Sequence, residues 1–158
     1  GCDVCQEVCP WNRRPGPVDE PSMRLPKARR DLDLIGLLRL EREEYVERFR
    51  RSPMKRAKLE GLKRNASIAM GNRASPEYLR PLLDELESWS RVEGDTAAQL
   101  SGHLAWSVGQ VGVRAAEDGR RDLWQLAGDG LRSVLESAVS DGLREEIEAA
   151  LRELDSSD

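Results

Sequence analysis

Three cysteines, Cys2, Cys5 and Cys9, fall in the first ten residues as CxxCxxxC, with Pro10 immediately after, and no cysteine follows. Thiolates at a two-then-three spacing that ends on proline are the closing part of the bacterial ferredoxin run CxxCxxCxxxCP. In that run the last cysteine ligates a different cluster from the others. A cubane takes four thiolates and this chain supplies three. On this reading Cys2 and Cys5 serve the near 4Fe–4S cluster and Cys9 crosses to a second one. The missing thiolate, and an opening on Gly1 with no initiator methionine, lead us to expect a C-terminal piece of a longer chain. A zinc site completed by a distant ligand, or three free thiols in a reducing compartment, are the plainer alternatives. Zinc knuckles usually arrive as paired CxxC units.

An odd number of tightly spaced cysteines disfavours a disulfide framework and points to the cytosol. The 158 residues suffice for one domain with an appendage. Aromatic residues make up 4% and charged residues 34%, a balance typical of helical proteins with cores of Leu, Ala and Val. No stretch of eighteen apolar residues and no secretory signal is present, so neither a membrane partner nor export is expected. The net charge of −4 hides a split. Residues 1–73 carry 17 Lys/Arg against 11 Asp/Glu, and residues 74–158 carry 8 against 18. A basic front and an acidic back suit a polyanion partner at the front.

The elements that must position these groups are helical. Residues 1–12 hold the partial cluster motif, and residues 13–30 read as a Pro-rich extended strap, since five of the eight prolines lie between Pro10 and Pro26. Asp31 is expected to cap a short apolar segment from Leu32 to Leu40, ahead of a charged helical stretch, Glu41–Arg50. Ser52 and Pro53 provide a cap and a first-turn proline, opening a helix to about Gly71. Ser75 and Pro76 repeat the device for a helix ending near Trp89. Further helices are expected from Asp95 or Thr96 to about Gly112, from Asp122 to about Ala138 with Gly128 and Gly130 as possible interruptions, and from Asp141 to about Leu154. No segment alternates with period two. Residues 65–72, NASIAMGN, align with residues 103–110, HLAWSVGQ, at an offset of 38. Both Gly71 and Gly109 then fall where a left-handed helix end is expected. A period near forty built from paired helices is the signature of HEAT-like α-solenoids. The fold class is therefore all-α, a HEAT-like helical domain over residues 31–158.

Seven cations stand within fifteen residues against one acid, Glu60: Arg50, Arg51, Lys55, Arg56, Lys58, Lys63 and Arg64. On one helix from Pro53, the residues Lys55, Arg56, Lys63 and Arg64 share a broad face, and Leu59, Leu62 and Ala66 form another. That face suits a phosphate backbone, and an ordinary solvated helix is the plain alternative. Arg24, Lys27, Arg29 and Arg30 are a weaker second group. His103, the one histidine, is expected to pack between helices, as are Trp89, Trp106 and Trp124. Trp11 is assigned either to shielding the cluster or, by preference, to anchoring the strap.

The run GCDVCQEVCPWN, the strap, SPMKRAKLEGLKRNASIAMGN and HLAWSVGQ, in that order, resemble the C-terminal portion of the epoxyqueuosine reductases. The likeness is strongest over residues 1–12 and 50–72 and weakest after Gly112. It implies a cytoplasmic enzyme that uses cobalamin and two 4Fe–4S clusters to reduce epoxyqueuosine in tRNA to queuosine, with an external electron donor. On this resemblance Cys2, Cys5 and Cys9 match the second cluster motif. Arg50, Arg51, Lys55, Arg56, Lys63 and Arg64 become candidate tRNA contacts. The corrinoid site, the catalytic acid and the first cluster motif belong upstream, and the piece alone is expected to be inactive. A stand-alone helical module whose cysteines bind zinc or nothing, and a reductive dehalogenase, are the alternatives. The helical tail argues against the dehalogenase.

Overall fold

The computed structural model describes residues 4–12 and 33–157, so Cys2, the strap over residues 13–30, and Asp31 and Leu32 lie outside the described residues. The chain divides after Arg30 into two compact units, of which the first contains α1 (Val4–Glu7) and a 3-10 turn, Pro10–Asn12. The second contains α2 (Leu34–Leu38), α3 (Arg42–Arg48), a 3-10 turn (Pro53–Ala57) and α4 (Lys58–Arg73). It continues with a 3-10 turn, Pro76–Tyr78, and four helices: α5 (Leu79–Trp89), α6 (Asp95–Glu117), α7 (Arg121–Ser137) and α8 (Asp141–Asp155). No strand occurs among the described residues, as the lack of period-two alternation led us to expect.

Helix α6 is the axis of the second unit, packing on α4, α5, α7 and α8. It can do so because apolar and small residues run around most of its circumference. Leu100, Leu104, Ala105, Val108 and Val111 are all buried in the main core. The flanking helices are one-faced. In α5 the stripe Leu79, Leu82, Leu83 and Leu86 is buried at three- and four-residue spacing, and in α8 the stripe is Leu143, Ile147, Ala150 and Leu154. A second, smaller cluster joins Leu40, Tyr45 and Phe49 to Leu59 and Leu62 of α4. It ties the short α3 to the body of the unit through side chains, including the tilted Tyr45–Phe49 ring pair at 5.5 Å.

Several expected boundaries shift, each for a local reason. The cap of α2 is Asp33, whose carboxylate accepts from the Gly36 N–H at 2.6 Å. Asp31, the expected cap, lies outside the described residues. Ser52 and Pro53 do not open one long helix. Ser52 Oγ accepts from the Met54 N–H, but the turn they open is 3-10, and the chain breaks at Lys58, with φ 56° and ψ 171°, where α4 begins. Gly128 and Gly130 do not interrupt α7. Gly94, at φ 115°, occupies the cap position of α6, and no side chain of Asp95 or Thr96 caps it.

Gly71 and Gly109, expected at helix ends, both lie inside helices. The left-handed residue that ends α4 is Ala74, at φ 49°. What the two glycines share is close approach. A Cβ on Gly71 would sit 2.6 Å from the Trp106 ring and 3.1 Å from Ser107 Cα, and one on Gly109 would sit 3.0 Å from Ala150 Cβ. The repeat at offset 38 thus marks equivalent contacts, α4 onto α6 and α6 onto α8. Ser107 reinforces the first, its Oγ lying 2.8 Å from the Ser67 carbonyl of α4 and 2.7 Å from its own-helix His103 carbonyl. Gly71→Ala is therefore expected to lower stability by about 1–3 kcal/mol through overpacking, although alanine is worth up to about 1 kcal/mol more than glycine inside a helix. Urea unfolding of the two proteins measures it. An equally stable or more stable variant would show that the α4–α6 contact yields easily.

Candidate functional site

Cys5 lies in the single turn of α1, closed by the Val8 N–H donating to the Val4 carbonyl at 3.0 Å. Cys9 follows the bend at Val8, and its carbonyl accepts from the Asn12 N–H at 3.0 Å, which closes the turn that Pro10 begins. Both thiols are free, that of Cys5 exposed and that of Cys9 half-buried. Neither is committed to a disulfide, which leaves two soft donors available to iron or zinc. Trp11 is 91% exposed. No group of three or more potential metal ligands occurs among the described residues, and the third cysteine of the motif, Cys2, is not one of them.

The cationic stretch falls into parts with different surroundings. Arg50, Arg51, Lys55 and Arg56 are exposed on the turn between α3 and α4. This turn is bounded by two residues with positive φ, Arg51 at 58° and Lys58 at 56°. Tyr45 Oη donates to the Lys55 carbonyl at 3.2 Å and fastens the turn to α3. Arg64 is half-buried on α4, its guanidinium spanning Gln99 Oε1 at 3.2 Å and Asn65 Oδ1 at 3.4 Å.

Lys63 departs from the expected exposed face. Its residue is only 4% exposed, its Nζ lies 2.9 Å from Glu85 Oε2, and the ammonium sits 5.9 Å from the Trp89 ring centroid, within cation–π range. The same Glu85 oxygen accepts from Trp89 Nε1 at 3.0 Å. Because α4 starts afresh at Lys58, its inward stripe is Leu59, Leu62, Lys63, Ala66, Ser67 and Met70, and Lys63 stands near its centre. That spacing is present in the sequence. Reading the 3-10 turn as the first turns of the same helix hides it.

The remaining singled-out residues are structural. His103 is half-buried in the middle of α6. Trp124 Nε1 donates to the Leu154 carbonyl at 3.2 Å, pinning α7 to α8, and Trp106 covers Gly71. Sequence reasoning also missed a groove of about 650 Å³ beside the basic turn, lined by Tyr45, Leu59, Trp89 and Val92, with Lys55 and Lys58 among its walls. Its lining comes from segments far apart in the chain, so no local pattern announces it.

Fold and site together define an all-helical domain of packed helix rows joined in sequence to a segment with free thiols at ferredoxin spacing. No protein-family model matches the chain. It is 34% identical to the epoxyqueuosine reductase of Xanthomonas campestris pv. campestris over 116 residues, 72% of this chain and 30% of that protein. With the Pseudomonas aeruginosa epoxyqueuosine reductase it shares 30% over 112 residues, 71% of this chain and 29% of that one. With that of Cyclobacterium marinum it shares 45% over 65 residues, 41% and 20% respectively. A crystal structure of a selenomethionine-labelled epoxyqueuosine reductase matches 98% of this chain and 36% of its own, with a TM-score of 0.67 at 24% identity. The chain is a relative of the epoxyqueuosine reductases, and it spans about 30% of the length of the first two curated relatives it matches.

No helix among the described residues is long and apolar enough to cross a membrane.

Proposed function

We propose that this chain is the C-terminal part of a cytoplasmic epoxyqueuosine reductase, contributing cluster ligands and a tRNA-facing helical domain of HEAT-like pairs. The observation that carries the proposal is the 34% identity over 116 residues with a protein of that name, in a chain whose described cysteines are free thiols. Reduction of an epoxide to an alkene takes two electrons and two protons and releases water. The two 4Fe–4S clusters would supply single electrons drawn from an external donor, and cobalamin would be bound by the rest of the parent enzyme.

The residues of this chain have narrower tasks. Cys2, Cys5 and Cys9 would hold iron, as soft thiolates do. The α1 turn and the Pro10–Asn12 turn fix where the Cys5 and Cys9 backbones stand. Arg50, Arg51, Lys55, Arg56 and Arg64 would meet phosphates. Lys63, buried on Glu85, is left out of that set. With no catalytic acid or corrinoid site among its assigned residues, this piece by itself would be inactive.

Charge reversal tests the RNA-facing half. In the full-length enzyme, Lys55→Glu together with Arg56→Glu is expected to weaken tRNA binding and to lower the slope of log K against log salt by about one for each phosphate no longer neutralised. Filter binding at several salt concentrations reads both. Unchanged affinity and slope would remove the basic turn from the RNA interface. A zinc-bound or metal-free cysteine segment on a helical interaction module is the competing reading. Metal analysis separates it, since zinc without sulfide contradicts a cluster.

A further inference from the structure

The groove beside the basic turn has a lining divided by chemistry. Its apolar part is built from Tyr45, Leu59, Trp89 and Val92. The Trp89 ring is held in place by its bond to Glu85 and by the Lys63 ammonium. Lys55 and Lys58 also line it, and no carboxylate pairs with either ammonium among the described residues. The third cation of the lining, Arg42, is occupied by Glu60 at 3.0 Å. Glu93, just before α6, and Asp95, at its start, line the groove too, and no cation pairs with either among the described residues. The volume of about 650 Å³ falls within the roughly 300–1,000 Å³ of clefts that hold small ligands.

We propose that this groove, whose lining combines the cations Lys55 and Lys58, the carboxylates Glu93 and Asp95 and a Trp89-bearing apolar part, takes one unpaired nucleotide of an RNA strand. The proposal rests on the RNA-facing reading above and deepens it. Phosphate belongs with the two free ammonium groups. The base belongs on the apolar floor, where a π-face against an aromatic side chain binds with little regard to sequence. The carboxylates reject phosphate and accept donors, and the donor that every ribonucleotide offers and no deoxynucleotide does is the 2′-hydroxyl. A basic face alone reads only the phosphate backbone. The groove adds two preferences, for an unpaired residue over a duplex and for RNA over DNA.

Fluorescence anisotropy with the full chain tests this at fixed salt, using a labelled RNA hairpin with an unpaired loop, its all-2′-deoxy counterpart and a blunt RNA duplex. Two variants are compared with the unaltered chain. Val92→Asp changes the floor at a residue 46% exposed, and Arg51→Glu/Arg56→Glu changes exposed cations outside the groove. The RNA hairpin is expected to bind about tenfold more tightly than the other two probes, and Val92→Asp to remove about that factor and the preference with it. Suppose instead that the three probes bind alike, that Val92→Asp is silent, and that Arg51→Glu/Arg56→Glu weakens all of them. The basic turn then keeps its RNA role and the groove loses it, as it would if the groove held a protein segment. Absence of binding to every probe would overturn the groove proposal together with the RNA-facing reading.

Discussion

On the proposed function, replacing Cys5 by alanine in the full-length protein is expected to strip cluster iron and reduce turnover to background, while leaving the helical domain folded. The two halves of that expectation have separate grounds. Thiolate sulfur is what binds cluster iron, and the Cys5 thiol is exposed and uncommitted. The domain from Asp31 onward has its own core, centred on α6 and built from residues such as Leu82, Leu104, Leu131 and Ile147, all fully buried. An exposed residue outside such a core usually changes stability by no more than about 0.5 kcal/mol. Iron content, turnover and the far-ultraviolet circular dichroism melt together read the outcome. Loss of helicity in step with loss of iron would make the cysteine motif structural, and full activity without Cys5 would remove it from electron transfer.

The second large effect concerns a pair with no part in the chemistry. Glu85→Ala is expected to destabilise the domain by about 3–5 kcal/mol, the cost of leaving a buried ammonium without its counter-charge. Lys63 has 5% of its side chain exposed and Glu85 15%, so solvent relieves little of that cost. The same carboxylate holds the Trp89 indole, so the substitution also strands an N–H donor. Converting both partners, Lys63→Met with Glu85→Gln, is expected to be close to neutral, because no charge is then buried and the amide oxygen still accepts from the Trp89 indole that the carboxylate now holds. A double-mutant cycle by urea denaturation measures the coupling. A cost below about 1 kcal/mol for Glu85→Ala would mean that the ammonium reaches water and that Lys63 belongs with the exposed cations.

Lys63 also shows where the sequence can and cannot be read. The long one-faced helices are legible because their apolar stripes repeat at helical spacing, as at Leu79, Leu82, Leu83 and Leu86, and Pro or Ser marks their starts. The order of elements from Ser52 to Leu154 comes from that signal. What local pattern misses is a change of backbone state between two helical turns. The positive φ of Lys58 restarts the helix, and every residue after it points elsewhere than a continuous helix would place it. Lys63 is thereby separated from Lys55 and Arg56, and within α4 it shares the buried stripe of Leu59, Leu62 and Ala66.

The glycines carry a similar lesson. Gly71 and Gly109 are recognisable as equivalent, but a glycine within a helix has the same letter whether it ends the helix or admits a neighbour. Only the positions of Ser107 and Ala150 decide between the two. The thiols are the opposite case, since the expectation for them rests on spacing alone, and the fold adds only that Cys5 and Cys9 are free. The groove is not legible at all, because Tyr45, Leu59 and Val92 meet only after α3 to α6 have packed.

The most direct test of the cluster assignment is the iron, zinc and acid-labile sulfide content of the anaerobically purified full-length protein, taken with its visible spectrum. Two cubane clusters predict about eight iron and eight sulfide per polypeptide, a brown colour that dithionite bleaches, and a clear fall in both elements in Cys5→Ala. A colourless protein holding zinc and no sulfide, with the same metal content in Cys5→Ala, would contradict the account.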